Sequence, residues 1–398
     1  MKRLRLFDEI DRADTGPARY SEPSFDCLNR SGRRPMERVR DLLEKWFDRF
    51  PDHAKAELRA RFRSSNDHQH FGAFFELYLH ELLLSLGFTV ELHPTPAETE
   101  TTHPDYLVLR PGKKVFYVEA TIAGMSEEEA AAKARESVVY DALDRMKSPN
   151  FFLLIRLRGS PSTPPPGGRM RRFLERELAK LDPDEVATRY ETGGYGALPA
   201  WHCEHEGWRL TFRAWPKSPN ARGKPGVRPI GMRFYEPRWI GTHLGVRNSI
   251  GSKATKYGDL DLPFVVAVNV IDPDCDETEI SNGLFGHENV TFVQDVDGRV
   301  VGSYLGRNPD GAWYGPSGPQ STRVSGALMA VGLSPWTIAK VTPTLWHNPW
   351  TKAPLASDIW SLPQLVPDRE KEQMKKCEGL NAAEVFNLGP SWPEDDQE

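Results

Sequence analysis

Cysteine is scarce, with four in 398 residues. Cys27, Cys203, Cys275 and Cys377 stand far apart and form no Cys-x-x-Cys pair, which argues against a zinc ribbon or a disulfide framework and for reduced thiols. The run His202-Cys203-Glu204-His205 gathers ligand-type side chains but lacks a second half at ligand spacing. Long apolar runs are missing too. No stretch approaches the ~20 residues that span a bilayer. The opening Met1-Lys2-Arg3-Leu4-Arg5-Leu6-Phe7-Asp8-Glu9 has no apolar core of the ~7–15 residues a secretory signal needs. The expected compartment is therefore the cytoplasm, with no membrane partner. There is no internal repeat, glycine-rich phosphate loop or Gly-x-Ser-x-Gly elbow. Nor is there a large charge of one sign: the net charge is −5, which does not mark the whole chain as a polyanion binder.

What is present suits a large folded chain. Apolar residues make up 39% and charged residues 27%, with 11 Trp and 19 Phe to fill cores. This length can hold two or three domains. Charge is distributed unevenly. Residues 151–260 carry 19 Lys and Arg against 10 Asp and Glu, so the remainder is acidic. A basic middle segment is either an electrostatic footprint for phosphates or an ordinary paired surface.

Most of the chemistry gathers between His70 and Asn150. Apolar residues at 71, 74, 75, 78, 79, 82, 83 and 86 have the spacing of an amphipathic helix, and Gly87 stops it. Strand-like runs follow at Phe88–Leu92, Asp105–Leu109 and Val115–Thr121, the last two joined by a turn at Gly112. A second helix is expected from about Ser126 to Met146, and a fourth strand, Phe151–Leu157, closes an α-β-β-β-α-β unit. Three acids occupy this unit. Glu76 lies on the first helix, Asp105 follows Pro104 at the start of a strand, and Glu119 sits fourteen residues later in the next. An ionised acid within Tyr117-Val118-Glu119-Ala120-Thr121 is expensive to bury without a partner. Carboxylates on adjacent strands repel unless a cation separates them, and oxygen ligands suit Mg²⁺ or Mn²⁺.

Glu76, the Pro104-Asp105 pair and Glu119-Ala120-Thr121 resemble the PD-(D/E)XK, or restriction-endonuclease-like, nuclease superfamily over roughly 80 residues. The resemblance implies a mixed-sheet α/β core and metal ligands at Glu76, Asp105 and Glu119. It also implies hydrolysis of DNA phosphodiester bonds, with Asp105 and Glu119 in catalysis. The superfamily's Lys, two places after the Glu, is absent here: Thr121 stands in its place. Some members move that Lys to a neighbouring element. Lys133, on the helix after the motif, is the nearest candidate, with Lys114, Lys253 and Lys256 behind it. Loss of the Lys also motivates an alternative, a catalytically inactive nuclease fold that binds nucleic acid or protein. A third reading makes Glu119 a buried acid paired to Arg or Tyr. A homo-oligomer or a protein partner is compatible with all of these.

Around this core the sequence predicts an N-terminal arm with helices at 34–50 and 54–62, so that 1–65 precedes a core at 66–158. The polar loop 94–103, ending at His103, borders the site. Gly159–Gly168 is a proline-stiffened linker, and 159–245 is read as a basic insertion. It includes a helix from Arg169 and strands at 208–215 and 230–235. In the first of these strands, Trp208, Leu210, Phe212 and Ala214 face a core. The Arg209, Thr211, Arg213 and Trp215 face either stacks on bases or covers a neighbouring sheet. Asn248–Tyr257 reads as a helix with Lys253 and Lys256 one turn apart. Leu262–Val270 is an unbroken apolar strand suited to the middle of a sheet. From there 246–367 extends the sheet and is β-rich, with Trp346 and Trp350 structural. The tail 368–398 is charged, and its end, Pro393–Glu398, is expected to fray.

Overall fold

The computed structural model describes residues 3–94, 103–124, 127–224, 226–235, 241–258, 260–272, 274–368, 370 and 373–394. Four helices open the chain: α1 (Ser24–Arg30), α2 (Arg34–Arg49), α3 (Asp52–Phe62) and α4 (Asp67–Ser85). Next come β1 (Thr89–Leu92), β2 (Tyr106–Arg110), β3 (Lys113–Ala123), α5 (Glu127–Asp144) and β4 (Phe151–Arg158). They are followed by α6 (Gly167–Leu178), α7 (Pro183–Gly193), β5 (Ala200–His205), β6 (Trp208–Pro216) and β7 (Ile230–Tyr235). Then come α8 (Thr242–Ala254), β8 (Phe264–Val270), α9 (Glu277–Phe285), β9 (Glu288–Gln294) and β10 (Val300–Arg307). The chain ends with the short β11 (Tyr314–Gly315) and β12 (Gly318–Pro319), then β13 (Gly326–Val331), β14 (Thr344–His347), β15 (Gln364–Asp368), β16 (Gln373–Cys377) and α10 (Ala382–Phe386). No helix among the described residues is long and apolar enough to cross a membrane.

The fold is mixed α/β and divides into two compact units. The first comprises residues 1–16, 23–124 and 241–398. Its eight-stranded sheet runs β1-β2-β3-β8-β13-β14-β15-β16. β1, β2 and β3 form an antiparallel meander, while β8 lies parallel to both β3 and β13. Gly112, at φ +71°, makes the β2–β3 turn in a conformation that costs glycine little. Every residue of β8 is buried, because its side chains serve two cores in alternation. Val265 and Ala267 join Trp46, Phe74, Tyr78, Phe116 and Val118 under the N-terminal helices. Val266 and Val268 join Val246, Ile250, Phe285 and Trp313 under α8 and α9.

The second unit comprises residues 17–22 and 125–240 and holds a four-stranded sheet, β5-β6-β4-β7. Trp208, Leu210, Phe212 and Ala214 of β6 are buried as the alternation requires, packed with Leu153, Ile155 and Leu157 of β4. On the opposite face of β6, Arg209 is exposed while Arg213 and Trp215 cover neighbouring side chains. Arg213 stacks on Tyr195 with 4.7 Å to the ring centroid, and Trp215 packs on Tyr190.

Three expectations are corrected. β4 does not close the first sheet: it pairs with β6 and β7 in the second unit, and β8 takes the place beside β3. The order helix, three strands, helix, strand is met by α4-β1-β2-β3-α8-β8, so the insertion begins near residue 125, not 159. The amino-terminal segment is no loose arm, since Leu6, Phe7, Phe25 and Leu28 are buried in the first core. The segment after 368 is ordered at β16 and α10, where Phe386 packs on Trp46 and Tyr78 at 4.9 and 5.3 Å. Most of the 94–103 loop lies outside the described residues.

Candidate active site

The three acids singled out by sequence all belong to the first unit, and each has a different environment. Glu76 sits midway along α4, a helix started by the Asn66 side chain accepting from His68 N–H. Its two carboxylate oxygens accept from both terminal nitrogens of Arg61 on α3, each at 2.6 Å. This bidentate geometry is the strongest form of Arg–carboxylate pairing, and it raises the Arg61 pKa above its ordinary value. Arg61 and Glu76 line a cavity of about 240 Å³ with His68, Gln69, Gly72 and Thr121.

Asp105 precedes β2 and reaches the neighbouring strand, where Ala120 N–H donates to Oδ2 at 2.7 Å. Its carboxyl is pushed up to about 7, first by burial, then by the negative charges of Glu119 and Glu76. Asp105 thus lies within electrostatic reach of both other carboxylates. Among the described residues no cationic side chain hydrogen-bonds Asp105.

Glu119 lies on β3, 1% exposed, beside β8 in parallel register with Val266. α8 and the turn after it supply its partners. Lys253 Nζ and Lys256 Nζ donate to Oε1 at 2.7 and 2.8 Å. The Tyr257 hydroxyl reaches Oε2 and also the His103 carbonyl, the latter at 2.9 Å. Burial alone would raise the Glu119 pKa, but the hydrogen bonds from Lys253, Lys256 and Tyr257 outweigh it and leave the group below its usual range. The Tyr257 phenol is displaced upward by burial and by the carboxylate it meets.

The two amines that meet Glu119 come from α8 and the turn after it. Lys133 stands exposed on α5 in the second unit, and Lys114 is exposed at the start of β3. Arg61 and Tyr257 were not foreseen as site residues. A basic run at the end of α3 was visible in the sequence, but its target on α4 was not.

The donor set suits a hard divalent ion in kind: three carboxylates, no thiol, no imidazole in contact. The arrangement is only partly prepared for one. Among the described residues no group of three or more His, Cys, Asp or Glu forms a metal-binding cluster. Glu76 is committed to Arg61, and Glu119 Oε1 to two lysines. Asp105 feels both other carboxylates more strongly than the opposing Ala120 N–H and Lys253 charge, so Asp105 and Glu119 are the pair that would hold an ion, with Glu76 joining by leaving Arg61. Elsewhere, His202 and His205 of β5 hydrogen-bond the hydroxyls of Thr211 and Thr163 at 3.0 Å, and all four cysteines are free thiols.

Compared with family models, curated proteins and solved structures, the chain matches none of them.

Proposed function

We propose that this chain is a metal-dependent nuclease of the PD-(D/E)XK type, hydrolysing phosphodiester bonds in DNA. The observation that carries the reading is the pair of lysines on Glu119, with Nζ atoms at 2.7 and 2.8 Å from Oε1. A cation at that carboxylate is what the Thr121 position fails to provide, and α8 is the next helix of the first unit after the meander once residues 125–240 are set aside. Asp105 and Glu119 would hold Mg²⁺ or Mn²⁺, which supplies a bound water of lowered pKa and charge neutralisation. Lys253 or Lys256 then stands where it can hold the attacking water or counter charge on the phosphoryl oxygens.

The test is incubation of the purified chain with supercoiled plasmid in Mg²⁺ or Mn²⁺, beside Glu119→Gln, Asp105→Asn and Lys253→Ala. Nicking or linearisation that these substitutions reduce at least 100-fold supports the assignment. Equal activity in wild type and variants, or none in any, removes it.

A second reading has an observation of its own. Glu119 is already neutralised by two amines and Glu76 by Arg61, so the acids can serve as structural ion pairs in a fold that binds nucleic acid or protein without turnover. Calorimetric titration separates the two: the nuclease reading expects Mg²⁺ or Mn²⁺ binding at millimolar concentration that Asp105→Asn abolishes.

A further inference from the structure

A second concave surface lies next to the carboxylates and has a different chemistry. α8 and the segment 320–323 enclose a groove of about 630 Å³. From α8 and its C-cap it is lined by Arg247, Asn248, Ser252 and Thr255, and from the segment by Gln320, Thr322 and Arg323. No carboxylate is among its lining residues, in a chain with more acids than bases overall. We propose that this groove holds the sugar–phosphate backbone of a nucleic acid strand, beside the phosphate addressed by Glu119, Lys253 and Lys256. The inference rests on the nuclease reading for the placement of a phosphate at Glu119, but not for the binding itself.

Three observations support it. The first is donor chemistry. Two guanidinium groups with hydroxyl and amide side chains between them are the groups that contact phosphate and sugar oxygens. Arg247 is exposed and forms no hydrogen bond or ion pair among the described residues. The nearby Asp310 feels its charge but turns Oδ2 to His287 Nδ1 at 2.8 Å. The second is continuity with the site. Arg323 Nη1 donates to the Tyr257 carbonyl at 2.9 Å, and the same Tyr257 carries the hydroxyl on Glu119. The groove therefore begins one residue from the carboxylate cluster. The third is close approach. Between Arg247 and Lys256 this side of α8 carries Gly251, Ser252 and Thr255, and a Cβ added at Gly251 would meet nothing within 4 Å. A polymer backbone can lie against such a surface without displacing a long side chain.

The experiment is fluorescence anisotropy of a fluorescein-labelled 20-mer, as duplex and as single strand, with the full chain in EDTA so that no turnover intervenes. Arg247→Glu is expected to weaken binding at least 10-fold. It should also reduce the slope of log K against log salt by about one, the share of one phosphate contact. Arg247→Ala should act in the same direction with a smaller loss. Lys375→Glu, on β16, should change affinity less than twofold. Matched thermal midpoints show that the variants fold. An affinity indifferent to Arg247→Glu, or no binding to either form of DNA, overturns the groove. Equal displacement by poly-glutamate of matched charge overturns the assignment to nucleic acid. Binding that depends on Arg247 without plasmid cleavage keeps the groove and removes the nuclease; cleavage with Arg247-independent binding does the reverse.

Discussion

Glu119 is a buried anion held in place by groups that arrive from one helix end. Removing a single partner leaves the charge shared with the others, while removing both amines leaves it with a phenol alone. Loss of the partners of a buried charge costs about 3–5 kcal/mol when the charge persists, and less when the group takes up a proton. The double variant Lys253→Met, Lys256→Met should therefore lose more stability than the two single variants summed, read as urea midpoints. Strict additivity would show that the amines act independently of the carboxylate. A second residue-scale prediction concerns His80 on α4, which is 3% exposed beside Phe50. Burial, then the charge of Arg49, lowers its pKa to about 4. A histidine whose folded pKa is depressed takes up its proton more readily when unfolded, so stability falls as pH drops from about 6.5 to about 4. The loss is on the order of 3 kcal/mol, at 1.36 kcal/mol per pKa step. The neighbouring Glu81 is shifted upward by burial, so its contribution has the opposite sign, present at low pH and lost as pH rises. Comparing wild type with His80→Leu isolates the histidine: the variant should lose less stability between pH 7 and pH 4, and parallel curves would refute the account.

At the scale of elements, the position of the two site lysines depends on how closely α8 lies on α9. Gly283 makes that contact, since a Cβ there would come within 2.8 Å of both the His243 carbonyl and Val246 Cβ. These are not the movable ends of flexible side chains, so the helices must separate. Gly283→Ala should destabilise the first unit by about 1–3 kcal/mol. It should also lower plasmid cleavage, because α8 carries Lys253. A thermal midpoint equal to wild type would show that the helices yield without cost. The α4 helix and the β2–β3 hairpin were legible beforehand because their signals are local: apolar spacing in one, alternation about Gly112 in the other. β4 was misassigned because an apolar run such as Phe151–Leu157 states that a strand is buried, not which sheet buries it. The same limitation favoured Lys133 over Lys253: residue 133 is nearer in sequence, and proximity to Glu119 is set by the parallel pairing of β3 with β8.

For the whole molecule, the chain leaves the first unit after Gly124 and returns at Gly241. The two points are neighbours in the fold, since a Cβ at Gly245 would lie 3.8 Å from that of Ala123. A loop between them is a small entropic demand whatever its length. Replacing residues 125–240 with a Gly/Ser linker of about eight residues, each reaching up to ~3.3–3.6 Å, should leave the eight-stranded sheet intact. The expected result is a cooperative thermal transition and a dispersed amide NMR spectrum. A collapsed, non-cooperative product would show that the first unit requires the second to fold.

The sequence by itself determined the elements with strong local periodicity, the three acids, the apolar β8 strand and the absence of a motif lysine at 121. Those follow from side-chain spacing and backbone preference, which act over a few residues. Tertiary structure decided which strand lies beside β3, which lysines meet Glu119, and that Arg61 closes on Glu76. Each of these is a pairing of charges or hydrogen-bonding edges brought together from apart in the chain, across 15 residues for Arg61 and Glu76 and 137 for Lys256 and Glu119, and local sequence carries no record of the partner.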